Sequence, residues 1–182
     1  MALTDLQTTQ TQHNLPLPQT RFIGRRQALD EVKQRIATCR LLTITGSGGS
    51  GKTRLALQVA YAIHSEYTDG VCWVDLAALV DPTLLPQTVA AALHLTQQPD
   101  HSCTALITKY LHNRKILLVL DNCEHLRAAC AALSEAILAD DGAAHMLVTS
   151  RTPLGVEGEQ IWVMPMLALP APNVALSVAD LQ

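Results

Sequence analysis

Short apolar runs alternate with helical patterns along most of the chain. Five runs have the length and composition of buried strands, at 41–45, 71–76, 116–120, 145–149 and 160–164. The segments between them carry apolar residues at three- and four-residue spacing, which predicts amphipathic helices. These helices are expected at about 25–36, 52–63, 84–93, 103–111 and 126–137. Strands that alternate with helices in this way predict an α/β domain with a five-stranded, mainly parallel sheet.

The two ends of the chain differ in composition from the part between them. Residues 1–20 are rich in Gln and Thr and contain Pro16 and Pro18, so we predict a flexible N-terminal segment there. After Pro165 the chain becomes rich in Pro and Ala. We therefore expect one domain over 21–170, followed at 171–182 by the truncated start of a further helical region.

A glycine-rich motif joins the first predicted strand to the second predicted helix. It fits the pattern G-x-x-x-x-G-K-[ST] without a mismatch and consists of Gly46, Ser47, Gly48, Gly49, Ser50, Gly51, Lys52 and Thr53. Glycines let successive N–H groups turn inward around phosphate oxygens, and the following helix adds its positive end. Lys52 is expected to reach the β- and γ-phosphates, and the Thr53 hydroxyl to bind Mg²⁺. A chance glycine-rich turn is the alternative, but the strand before the motif and the helix after it favour a P-loop, with ATP or ADP and Mg²⁺ as ligands.

Three further residues are candidates for metal binding, phosphate contact or catalysis at the phosphate site. Asp121 ends the most apolar strand, as expected of the acid that holds the metal in a P-loop protein; a solvated acid that caps the next helix is the alternative. Arg151 follows the strand 145–149, where it can face the γ-phosphate or remain a surface arginine. Glu124 can orient the attacking water or simply complement the dipole of the next helix.

Net charge and cysteine spacing limit the partners and the cellular compartment that we expect for the protein. The net charge of −3 gives no basic stripe, so direct contact with nucleic acid is not expected from this segment. The five cysteines have no CxxC spacing, which favours free thiols in a reducing compartment. Neither a signal peptide nor an apolar run of membrane-spanning length is present in the sequence, so we expect a cytoplasmic protein without a membrane anchor.

The order and spacing of the motifs resemble the nucleotide-binding domain of the STAND class of P-loop NTPases (signal-transduction ATPases with numerous domains). The resemblance is to NB-ARC-like domains of bacterial LuxR-type and SARP-type transcription regulators, in the "predicted ATPase" branch. It covers about residues 15–170 and rests on segments 22–25, 46–56, 69–76, 120–125 and 149–155.

The resemblance implies a three-layer α/β/α fold of the additional-strand type, in which the strand 145–149 lies between the P-loop strand and the Asp121 strand. It implies that Ile23, Gly24 and Arg25 form a loop near the adenine and ribose. Arg54, directly after the P-loop, would also contact the nucleotide. Arg151 would be the sensor of the γ-phosphate.

The function implied by the resemblance is that of a regulatory switch. Bound nucleotide would decide between a closed state and an open or oligomeric one, with protein partners or self-association as the output. Many additional-strand ATPases carry a catalytic glutamate directly after the metal-binding aspartate, but this chain has Asn122 there, so we expect a weak, Mg²⁺-dependent ATPase. A non-catalytic module that holds ADP or ATP remains open for the same reason. A P-loop kinase for a small acceptor is the third hypothesis, although no Arg-rich lid segment is visible.

Overall fold

The computed structural model describes residues 13–17, 24–96, 101–139 and 141–165. The strands are β1 (Leu41–Thr45), β2 (Gly70–Asp75), β3 (Ile116–Asp121), β4 (His145–Ser150) and β5 (Glu159–Val163). The helices are α1 (Arg26–Ile36), α2 (Lys52–Ile63), α3 (Leu85–Ala92), α4 (Cys103–Leu111) and α5 (Arg127–Leu138). Every predicted strand and helix is present at nearly its predicted position. Within the described residues, no helix is both long and apolar enough to cross a membrane.

The five strands form one sheet in the order β2-β3-β4-β1-β5, and every neighbouring pair is parallel. The predicted place of β4 between β1 and β3 is therefore confirmed. Because parallel strands end at the same edge of a sheet, the residues that follow β1, β2, β3 and β4 are brought together there.

The sheet is covered by helices on both faces, which confirms the three-layer architecture. Successive residues of β3 point to opposite faces: Leu117 and Val119 pack with α1 and α2, whereas Leu118 and Leu120 pack with α3, α4 and α5. All four of these leucine and valine side chains are fully buried. The continuous apolar run in β3 thus reflects a strand that is buried on both sides.

The described part of the N-terminal segment, residues 13–17, packs against the sheet. Residues 13–17 lie along β2: His13 pairs with Val71, and the side-chain amide of Asn14 makes two hydrogen bonds to the backbone of Trp73. Leu15 is buried in the core on the α1 and α2 side of the sheet. Residues 13–17 supply partners for β2, an edge strand whose backbone groups need them, and the flexible segment expected over 1–20 stays a prediction. The other residues of that segment, and the region 171–182, lie outside the described residues.

Candidate functional site

The loop between β1 and α2 has the conformation that a phosphate cradle requires. Gly49 has φ 72° and Gly51 has φ 91°, which is left-handed backbone that favours glycine. The N–H groups of Gly49, Gly51, Lys52 and Thr53 donate to no acceptor in the described part of the chain. The loop therefore presents several donors, at the start of a helix, to an anionic ligand.

Lys52 lies over this loop. Its side chain is largely buried, and the ammonium Nζ donates to the carbonyl oxygens of Gly46 at 2.9 Å and Ser47 at 3.0 Å. An ammonium group has three donors, so one remains for a phosphate oxygen. The buried hydroxyl of Ser50 also lacks a partner among the described residues. These are the features expected of a loop built to surround a phosphate chain.

Asp121, the last residue of β3, lies directly beside Thr53 of α2. Its Oδ1 accepts a hydrogen bond from the Thr53 hydroxyl at 2.9 Å and a short one from the Thr149 hydroxyl. Burial raises the pKa of the Asp121 carboxyl, and the charge of Asp75 adds to this rise, whereas the bonds from Thr149 and Thr53 oppose it. A buried carboxylate next to a hydroxyl oxygen supplies hard oxygen ligands of the kind that Mg²⁺ prefers. The residues present thus fit a divalent cation.

Arg151 and Glu124 form an ion pair at the mouth of the loop. The Nε of Arg151 is 3.2 Å from Oε1 of Glu124, and the Arg151 side chain is 64% exposed. Its guanidinium also lies close to Gly48, with Nη2 3.6 Å from where a Cβ on that glycine would stand. The other carboxylate oxygen of Glu124 is buried without a partner among the described residues. Both side chains line a cavity of about 590 Å³ together with Ala77, Asn122, His125 and Thr152.

The loop before α1 contacts the P-loop through Arg25. Nη1 of Arg25 donates to the carbonyl oxygen of Ser50 at 2.7 Å and contacts the sulfur of Met164 at 3.5 Å. Arg25 thus braces the P-loop, and its predicted contact with the adenine and ribose stays a prediction, as does that of Gly24. Ile23 lies outside the described residues. Arg54 is exposed on the first turn of α2.

Two residues of the site were given no role by the sequence. Thr149 of β4 donates to Asp121 and also accepts from the backbone N–H of Asn122 at 3.0 Å. Asp75 ends β2, stands opposite Asp121 in the sheet register, and accepts a hydrogen bond from the side-chain amide of Asn122 at 2.9 Å. The sequence could have indicated both residues, since each is a polar residue at the carboxyl end of an apolar strand.

The described fold and the loop at 46–53 define the class of the protein as a P-loop NTPase with an additional strand between β1 and β3. The family model of the NB-ARC domain matches residues 25–154. The chain therefore belongs to the NB-ARC family, which confirms the resemblance to STAND-class regulators.

Curated relatives are longer than this chain. A Mycobacterium bovis protein called "Putative HTH-type transcriptional regulator" is 44% identical over 134 residues, which are 74% of this chain and 15% of that protein. An uncharacterized protein of Mycobacterium tuberculosis is 36% identical over 167 residues, or 92% of this chain and 42% of its own length. The regulatory protein AfsR of Streptomyces griseus is 31% identical over 150 residues, or 75% of this chain and 15% of AfsR. The chain thus spans less than half the length of each.

Solved structures share the fold at low sequence identity. Cdc6p from Pyrobaculum aerophilum has a TM-score of 0.59 at 14% identity, over 82% of this chain and 46% of that one. A STAND protein with a tetratricopeptide repeat sensor from Pyrococcus horikoshii has a TM-score of 0.58 at 18% identity, over 81% of this chain and 24% of that one. At these identities the likeness shows the fold.

Proposed function

We propose that this domain binds ATP or ADP together with Mg²⁺ and acts as a slowly hydrolysing switch in a STAND-type transcription regulator. The observation that carries the proposal is the loop at 46–53, whose N–H groups at 49 and 51–53 have no acceptor among the described residues and lie beneath the Lys52 ammonium. Inward-facing amides and one cation form a site for a chain of phosphates. The names of the relatives called regulators support the regulatory setting.

Each residue of the site has a role in this proposal. Lys52 and the loop amides hold the β- and γ-phosphates, and Thr53 and Asp121 hold the cation. When bound, Mg²⁺ neutralises charge on the phosphate oxygens. Arg151 reads the γ-phosphate through its two Nη groups, while its Nε stays paired with Glu124. Because ADP has no γ-phosphate, this contact distinguishes ATP from ADP and is the switching event, with protein partners or self-association in the cytoplasm as its output.

Slow hydrolysis is expected because Asn122 occupies the position directly after Asp121, where a catalytic acid would otherwise stand. The amide of Asn122 cannot accept a proton, and Oε1 of Glu124 is already bound by Arg151. The same observations support the second candidate function, an interaction module that holds ADP or ATP without turnover. The two differ in a measurable way, because only the switch releases phosphate from ATP.

Titration calorimetry with ATP and ADP in the presence of Mg²⁺ tests the proposal. We expect Lys52→Ala to weaken ATP binding by about 100-fold, since charge-assisted hydrogen bonds to phosphate contribute roughly 1.5–3 kcal/mol each. Lys109→Ala, which removes an exposed lysine of α4, is the control and should bind like the parent. Equal affinity of the Lys52 variant and the parent would refute the phosphate site. Phosphate release by the parent then separates the switch from the non-catalytic module.

A further inference from the structure

The side chain of Asn122 is held in one orientation by two carboxylates. Its Nδ2 donates to Oδ1 of Asp75 at 2.9 Å and to Oδ2 of Asp121 at 3.1 Å. An amide nitrogen has two hydrogens, and here both are used by negatively charged acceptors. A flipped amide would place its oxygen against the same two carboxylates, which is repulsive. The two carboxylates therefore allow only one orientation of the Asn122 side-chain amide.

The backbone of Asn122 is held as firmly as its side chain. Its φ of 64° is left-handed, a conformation that Asn tolerates better than most residues. Its N–H donates to the Thr149 hydroxyl at 3.0 Å, which ties it to β4. A strained backbone that its neighbours hold in place is a feature of functional sites.

The carbonyl oxygen Oδ1 of Asn122 is the group left for a ligand. It has no hydrogen-bond partner within the described ranges, and Asn122 lines the same cavity of about 590 Å³ as Arg151. Glu124 is a poorer choice for a water contact because Oε1 is engaged by Arg151 and Oε2 is buried. Asp75 does not line this cavity but accepts hydrogen bonds from Asn122 and Ala77, which do.

We propose that Asn122 Oδ1 orients the attacking water and that Asp75 is the positioning residue that keeps this oxygen turned toward it. This inference rests on the proposed function, since it names how the same site hydrolyses ATP. The water oxygen bonds to the γ-phosphorus while the bond from that phosphorus to the β–γ bridging oxygen breaks, and ADP leaves with that electron pair. The water proton passes to an oxygen of the phosphate product, because an amide carbonyl orients a proton without accepting it.

The first test removes the positioning carboxylate and measures turnover separately from binding. We expect Asp75→Ala to lower the rate of phosphate release at saturating ATP on the order of 10-fold, because precise placement of a reacting group controls the rate. The Kd for ATP should stay within about threefold of the parent value, since Asp75 touches no residue assigned to the phosphates. Asp81→Ala is the matched control: Asp81 accepts from the N–H of Thr83 at 2.9 Å as Asp75 does from Ala77, but it does not contact Asn122.

The second test exchanges the two residues. Asn122→Asp alone sets a third carboxylate beside Asp75 and Asp121 and should bind ATP or release phosphate less well than the parent. The double variant Asp75→Asn with Asn122→Asp keeps the net charge and restores a donor opposite an acceptor. Because the carboxylate at 122 still faces Asp121 Oδ2, we expect the double variant to release phosphate faster than Asn122→Asp alone, and a double variant no faster than Asn122→Asp would overturn the inference.

The third readout needs no nucleotide. Hydrogen exchange of the Asn122 side-chain NH₂, followed by NMR and assigned through Asn122→Asp, should be roughly 10-fold faster in Asp75→Ala, because one charge-assisted bond is lost. Unchanged exchange, or unchanged phosphate release in Asp75→Ala, overturns the inference while ATP binding by the parent keeps the proposed function intact. A parent that binds no ATP in calorimetry refutes the proposed function and the inference with it.

Discussion

At the residue scale, the site is built from polar side chains that restrain one another before any ligand arrives. Arg151 is paired with Glu124, and Asp121 is bonded to Thr53 and Thr149. The Arg151 pair is largely exposed on the arginine side, so it is weak and easily exchanged, whereas Asp121 is almost fully buried. The arginine is therefore the group that can move to contact a γ-phosphate.

Replacing either member of this pair should change the preference for ATP over ADP. Arg151→Ala should weaken ATP binding about 10-fold or more, since a charge-assisted hydrogen bond contributes roughly 1.5–3 kcal/mol, and should leave ADP affinity unchanged. Glu124→Gln should strengthen ATP binding by up to about fivefold, because exposed ion pairs contribute at most about 1 kcal/mol. Calorimetry measures both, with Arg127→Ala of α5 as the control. Equal losses of ATP and ADP affinity in Arg151→Ala would contradict the sensor role.

At the element scale, residues 13–17 protect an open edge of the sheet. Beyond β2 no further strand of the described chain pairs with the sheet. The Asn14 amide instead donates to the Trp73 carbonyl and accepts from the Trp73 N–H, as the backbone of a neighbouring strand would. Leu15 then anchors the segment in the core. An edge strand covered in this way is less able to pair with other chains.

Asn14→Ala should therefore destabilise the fold and expose β2. We expect the free energy of unfolding in urea to fall by about 1–3 kcal/mol, from two hydrogen bonds of roughly 0.5–1.5 kcal/mol each. The amide of Trp73 should also exchange faster with solvent. Gln27→Ala is the control, because it removes one exposed side-chain bond on α1, to Glu31, and surface changes of this kind usually cost below about 0.5 kcal/mol. An unchanged Trp73 amide would mean that the segment does not protect the edge.

At the scale of the whole molecule, the candidate nucleotide site is formed by residues at the ends of three neighbouring strands, β3, β4 and β1. The P-loop joins β1 to α2, Asp121 ends β3, and Arg151 follows β4. A ligand that contacts all of them binds only the folded chain. Binding must then stabilise the entire domain.

Thermal unfolding should report this linkage. ATP with Mg²⁺ at about 100 times its Kd adds roughly 2.7 kcal/mol of stability, which for a domain of this size raises Tm by about 5–10 °C. Removal of Mg²⁺ by a chelator should reduce this rise in Tm. The Tm of Lys52→Ala should change very little at the same ATP concentration. AMP, which lacks the β- and γ-phosphates, is the control ligand. A similar shift with AMP would place the binding energy outside the phosphate cradle.

The sequence by itself determined the local parts of this protein. The strand 41–45, the P-loop and the acid at the end of β3 are encoded by hydrophobic runs and glycine spacing within a few residues, so they could be predicted from the pattern. The order of the strands was available only through the resemblance, because periodicity says where a strand lies and not which strand is its neighbour.

The tertiary structure alone decided which distant side chains meet. The bond from Asn122 to Asp75 joins residues 47 positions apart, and that from Asn14 to Trp73 joins residues 59 apart. The pairing of Arg25 with Ser50 and of Arg151 with Glu124 likewise depends on how β1, β3 and β4 are placed side by side. Such contacts depend on the order of the strands in the sheet. That order results from many weak packing interactions along the whole chain, so no short stretch of sequence predicts these contacts.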